Sequence, residues 1–158
     1  MPPQGSVSTV EAGQRKISRR VTVHAPAAEV FALVADPHRH PDIDGSGTIR
    51  HAPVTGPRQL SAGATFTVAM KQYGVPYKIT STVTAFEQDR LLEWRHPMGH
   101  RWRWEFAEIA PGTTEITETF DYSTAKAPRM LEILGQPAKN VTGITKTLRR
   151  WSRGSGRR

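Results

Sequence analysis

Three places in the chain hold residue types able to do chemistry. The first is DPHRHPDIDGSG, residues 36–47, which carries His38, His40, Asp36, Asp42 and Asp44 beside Pro37 and Pro41. The second is the pair His96 and His100, separated by Pro97-Met98-Gly99. The third is Glu118, inside the run TEITETF, which also carries Glu115. From Asp42 onward the first segment copies the opening of a calcium loop. Oxygen donors stand at the usual places (Asp42, Asp44, Ser46), followed by Gly47 and an apolar Ile49. The likeness then ends. Arg50 is a cation where a ligand is needed, and Pro53 replaces the closing bidentate Glu. His38 and His40 have donor atoms for a transition metal. Pro37 and Pro41, however, deny them a regular element to aim them. No Lys follows the glycines, so this is not a phosphate-binding loop. The segment reads as a capped short helix running into a Gly-rich turn.

The chain as a whole narrows the options. Its 158 residues suffice for one domain with a core. Cysteine is absent, which removes thiol chemistry and disulfides and fits a cytoplasmic protein. No apolar run approaches a membrane-spanning length, and no secretory leader pattern opens the chain. Net charge is +8, but Arg149, Arg150, Arg153, Arg157 and Arg158 crowd the end. No zinc-finger or RNA-recognition signature accompanies them, so no specific nucleic-acid partner is expected.

The elements that position these groups follow from periodicity. A strand is expected over 16–24, then a short helix over 26–34 with Pro26 in its first turn. A second short helical turn follows at Asp36. Residues 47–123 read as an antiparallel meander. Two loops set its register. Ala110-Pro111-Gly112 places Phe106 opposite Ile116, Trp104 opposite Glu118 and Trp102 opposite Phe120. Pro97-Met98-Gly99 places Trp94 opposite Trp102 and Leu92 opposite Trp104, with His96 facing His100. Both loops put the aromatics on one face and Glu93, Arg101, Arg103 and Asp121 on the other, where they read as a weak charge ladder. A two-residue turn at Gln88-Asp89 sets Ala85 beside Leu92 and Val83 beside Trp94. Met130, Leu131 and Leu134 begin a helical stripe that continues through Val141, Ile144, Leu148 and Trp151, broken near Gly135 and Pro137.

That order of elements is similar to the START-like (SRPBCC) superfamily, and in particular to its polyketide cyclase/dehydrase and lipid-transport group. The pieces that carry the likeness are VTVHAPAAEVFALVADPHRHPDI, RLLEWRHPMGHRWRWEF and TEITETFDYS. The resemblance implies an α+β helix-grip fold: a curved antiparallel sheet wrapped around a long C-terminal helix, with two short helices after the first strand. Residues 1–14 and the basic tail 153–158 read as disordered, which leaves 15–152 for the START-like domain. The resemblance also implies a cavity behind the aromatic face. Candidate ligand-binding residues are then Phe66, Met70, Tyr77, Trp94 and His96, continuing with Trp102, Trp104, Phe120 and Tyr122. His38 or His40 would stand at its rim. The bland alternative is that these aromatics are ordinary core.

Two functions are compatible with such a cavity. One is binding of a hydrophobic, aromatic or lipid-like small molecule. The other is a polyketide aromatase/cyclase or dehydratase in which Glu118 and His100 serve as acid and base. Neither needs a cofactor, and no metal site is expected. A third role, as a protein-interaction module, has no specific residues in its favour.

Overall fold

The computed structural model describes residues 7–11, 13–40, 54–72 and 74–133. Its centre is a single antiparallel sheet of eight strands. These are β1 (Ser8–Val10), β2 (Lys16–Val23), β3 (Val54–Thr55), β4 (Thr65–Gln72), β5 (Val75–Glu87), β6 (Leu91–Arg95), β7 (Arg101–Ala110) and β8 (Thr113–Asp121). Their spatial order is β1-β2-β8-β7-β6-β5-β4-β3. Strands β3 to β8 form a meander, and the chain's first long strand closes on its last one. Ser8–Val10 falls in the stretch expected to be disordered, yet it pairs with Ser18–Arg20 as an edge strand.

The expected register appears in the aromatic hairpins. Trp94 stands opposite Trp102 and Leu92 opposite Trp104. Trp102 faces Phe120, Trp104 faces Glu118 and Phe106 faces Ile116. The β7–β8 turn is tighter than expected, because Ala110 itself pairs with Thr113 and Ile109 is extruded as a bulge. The β5–β6 turn is longer than expected, and here the sequence reading needs correction. Glu87 pairs with Leu91, and Asp89 takes a left-handed φ of 63°. Leu92 therefore faces Phe86 rather than Ala85. A bulge at Thr84 absorbs the extra residue, so Val83 still meets Trp94. The bulge also changes the pleat: Val83 and Phe86, of opposite parity, both reach the apolar face.

Helix α1 (Ala27–Ala35) lies on that apolar face. Pro26 provides no side-chain cap, and Glu108 does the work instead, accepting from the Ala27 N–H at 2.7 Å. Phe31 is fully buried and meets Phe86 and Phe106 edge-on at 5.7 and 5.4 Å. Thr114, also fully buried, donates to the Ala25 carbonyl and ties β8 to the entry of α1. The core is completed by Val21, Val23, Val30, Val34, Leu92 and Ile116.

Of the two short helices expected after the first strand, only one is an α-helix. The second is a single 3-10 turn, Pro37–Arg39, opened by Asp36, which accepts from the His38 N–H. A six-residue helix α2 (Pro128–Ile133) stands where the long C-terminal helix was expected to start and is tethered by Arg15 to Glu132 at 2.9 Å; the long helix itself is not supported among the described residues. The remainder of that expected helix, the DIDGSG turn and the basic tail lie outside the described residues. No helix among the described residues is long and apolar enough to cross a membrane.

Candidate functional site

The inner face of the sheet carries two joined aromatic groups. In the first, Trp94 stacks on His40 at 5.2 Å and meets Phe66 edge-on at 5.5 Å. His40 also meets Phe66 edge-on at 5.5 Å. In the second, Phe120 contacts Trp102 at 4.8 Å, His100 at 5.3 Å and Tyr122 at 5.6 Å. The cross-strand pair of Trp94 and Trp102 joins the two. Phe66, Trp104, Phe120 and Tyr122 are buried, while Trp94 and Trp102 are partly exposed.

Not every expected residue joins them. Tyr77 is 37% exposed and sits farther out along β5. Met70 stands opposite it in the ladder. The side chain of Met70 lies outside the described residues.

His40 is the residue whose position sequence reasoning missed. It does not sit at a solvent rim. It is 6% exposed, and its Nε2 lies 2.7 Å from the Val34 carbonyl at the end of α1. Its neighbour His38 takes another course, with Nε2 2.7 Å from the Gly56 carbonyl. Only the i, i+2 spacing of the two histidines around Arg39 hinted that one ring would point inward.

Glu118 is 6% exposed on the same inner face. The register gives it Trp104 on one side and Arg19 on the other. Directly opposed residues on adjacent strands have Cβ atoms about 5 Å apart. A guanidinium-bearing residue thus stands beside the carboxylate-bearing one, a neighbour that local turns do not reveal.

His96 and His100 stack at 4.1 Å with their planes 18° apart. The hairpin that holds them is closed by the His96 N–H donating to the His100 carbonyl at 2.8 Å. Nδ1 of His96 accepts from the Met98 N–H at 3.0 Å, which assigns the proton of the neutral ring to Nε2. Burial pushes the His96 imidazole below its ordinary value. His100 is pushed down to about 4, first by burial and then by the neighbouring His96. Both rings are therefore neutral at pH 7. Nδ1 of His100 is buried and has no hydrogen-bond partner among the described residues.

The turn carrying the pair is itself clamped. The Met98 carbonyl accepts from the Lys126 N–H, and the Thr124 hydroxyl donates to the Gly99 carbonyl at 2.7 Å. The arrangement offers a flat aromatic surface, one buried carboxylate and two neutral imidazoles. Among the described residues no group of three or more metal-binding side chains comes together.

The outer face differs from the charge ladder expected there. Glu93 is buried, bonded by Arg103 at 3.2 Å and by Thr84 at 3.0 Å, with Arg101 at 3.5 Å. An open groove of about 840 Å3 runs by the β5–β6 turn and the start of α1, lined by Arg20, Arg90, Arg103, Glu105 and Glu115 among others. It is half apolar and mixed in charge, and it contains none of the candidate ligand residues.

Comparison with known proteins agrees with this architecture. A family model described as polyketide cyclase/dehydrase and lipid transport matches residues 14–151. The uncharacterised protein Rv0088 of Mycobacterium tuberculosis is 48% identical over 151 residues, covering 93% of this chain and 67% of that protein. The solution structure of the polyketide-cyclase-like protein Cgl2372 from Corynebacterium glutamicum matches with a TM-score of 0.61 at 21% identity, covering 97% of this chain and 92% of that one. The crystal structure of the Zhui aromatase/cyclase from Streptomyces sp. R1128 matches with a TM-score of 0.60 at 17% identity, covering 90% and 96%. At these identities the solved structures establish the shared fold. With the family model spanning nearly the whole chain, the protein belongs to the polyketide cyclase/dehydrase and lipid-transport family of the START-like superfamily.

Proposed function

We propose that this protein holds a flat, largely apolar small molecule, aromatic or lipid-like, against the inner face of its sheet. The observation that carries this reading is the aromatic surface formed by Trp94, Trp102 and Phe120, with Phe66 and Tyr122 at its ends. Partly exposed indoles next to buried polar groups suit a ligand that stacks and accepts a few hydrogen bonds. In this reading the protein works in the cytoplasm. The reading needs no cofactor.

A second reading, acid/base catalysis on a polyketide-like substrate, is favoured by the neutral His96–His100 pair and the buried Glu118. A neutral imidazole at pH 7 can take a proton, and the buried carboxyl on the same face is the second acid/base group of this reading. The Zhui protein, an aromatase/cyclase by name, shares this fold.

Native mass spectrometry of freshly purified protein, followed by denaturing extraction, tests the first reading. A retained molecule of defined mass is the expected result. If the protein emerges empty, tryptophan-fluorescence titration with polycyclic aromatics decides, and a flat response refutes the reading. The two readings separate by mutation. Trp102→Ala weakens binding at least tenfold, a loss of more than about 1.4 kcal/mol. Glu118→Gln leaves binding within about threefold on the first reading. On the second it lowers turnover by about a hundredfold or more.

A further inference from the structure

Four ring nitrogens meet at the end of the β6–β7 hairpin, and they are not equivalent. Nδ1 of His96 is occupied, because it accepts from the Met98 N–H at 3.0 Å. The neutral His96 ring therefore carries its proton on Nε2. Nδ1 of His100 is buried and has no hydrogen-bond partner. A proton there would be a buried N–H with no acceptor, an arrangement that folded proteins rarely keep. The neutral His100 ring therefore also carries its proton on Nε2. Neither Nε2 has a hydrogen-bond partner among the described residues, and neither is sealed from solvent.

Two neutral N–H donors thus stand on rings stacked at 4.1 Å with planes 18° apart. The aromatic surface begins beside them, since Phe120 contacts His100 at 5.3 Å and Trp102 at 4.8 Å. The turn that carries the pair is held by the Lys126 N–H and the Thr124 hydroxyl. Donors fixed in this way need little ordering when an oxygen arrives. Neither ring offers an open acceptor, because one Nδ1 is bonded and the other is buried. A ligand hydroxyl would find no acceptor for its hydrogen at the pair, whereas a carbonyl oxygen brings only lone pairs.

We infer that His96 and His100 hold one carbonyl oxygen of the bound molecule with their Nε2–H groups, so that the ligand is a flat ketone or quinone. The inference rests on the binding reading above and narrows it from an apolar molecule to a carbonyl-bearing one. It also parts from the catalytic reading. A ring already protonated on its open nitrogen donates there and does not take a proton as a base would.

The test uses fluorenone, fluorenol and fluorene, which share one ring system, each titrated against the tryptophan fluorescence of the full chain. Fluorenone is expected to bind about tenfold tighter than fluorene, as two modest hydrogen bonds provide, and fluorenol at most about threefold tighter. His96→Phe and His100→Phe keep a stacked ring without its N–H. Each cuts the fluorenone advantage about threefold, and the double variant binds fluorenone no better than fluorene. Long-range nitrogen–proton NMR correlation of the imidazoles in wild type needs no variant and is expected to show both protons on Nε2. Equal binding of the three compounds, or a proton on Nδ1 of His100, overturns the inference and leaves the apolar-ligand reading standing. If none of the three binds, that reading falls and the inference falls with it.

Discussion

Acidification should unfold this protein partly through His100. Its imidazole titrates at about 4 in the folded state, against 6.5 for an ordinary histidine, because it is buried and stacked on His96. The sign follows from proton binding. Above pH 6.5 the ring is neutral in both folded and unfolded chains, and the full stability is present. As pH falls below 6.5 the unfolded chain takes up a proton that the folded one refuses, and stability is lost until the pH passes about 4. A fall from 6.5 to about 4 corresponds to an upper bound of about 3 kcal/mol. The ring is only partly buried, and solvent screening reduces this to about 1–2 kcal/mol. Urea unfolding at several pH values between 7.5 and 4 measures the loss directly. His100→Gln should flatten the curve by that amount while leaving the contribution of the carboxylates in place. Observation of the imidazole by NMR provides an independent reading, with the His100 resonance expected to shift only near pH 4. A midpoint near 6.5, or a pH profile of His100→Gln that parallels wild type, refutes the reasoning.

Three further predictions concern stability and are checked by the same denaturation. Glu93→Ala should cost about 2 kcal/mol, because it removes the shared acceptor of Thr84 and Arg103. Glu105→Ala, which takes an exposed partner from Arg103, should stay within about 0.5 kcal/mol. Gly99→Ala should cost about 2–3 kcal/mol: Gly99 holds φ +95°, and a Cβ there would lie 2.5 Å from the Thr124 carbonyl oxygen. If Gly99→Ala is neutral, the clamp on the histidine hairpin is looser than described.

Much of the sheet was legible because hairpin register is a local property. Pro97-Met98-Gly99 and Pro111-Gly112 close turns between adjacent strands, and strand alternation then carries Trp94, Trp102, Trp104, Phe106 and Phe120 to one face. Even the misread turn at Gln88-Asp89 cost little, since the bulge at Thr84 restored the pairing of Val83 with Trp94. A bulge has no firm sequence mark, because any residue can occupy it once the neighbouring strands demand the extra length.

The sequence by itself therefore determined which residues share the aromatic face and how neighbouring strands align. Tertiary structure alone decided what reaches that face from afar. The closure of β2 on β8 set Arg19 opposite Glu118, 99 positions along the chain (118 − 19). The docking of α1 and the turn after it laid His40 on Trp94 and Phe66. The burial of Glu93 under Arg101 and Arg103 turned an apparent surface ladder into a buried, bonded carboxylate. Such contacts join residues with no shared turn, and their existence depends on which elements pack together. Periodicity and loop length report only which way a side chain faces.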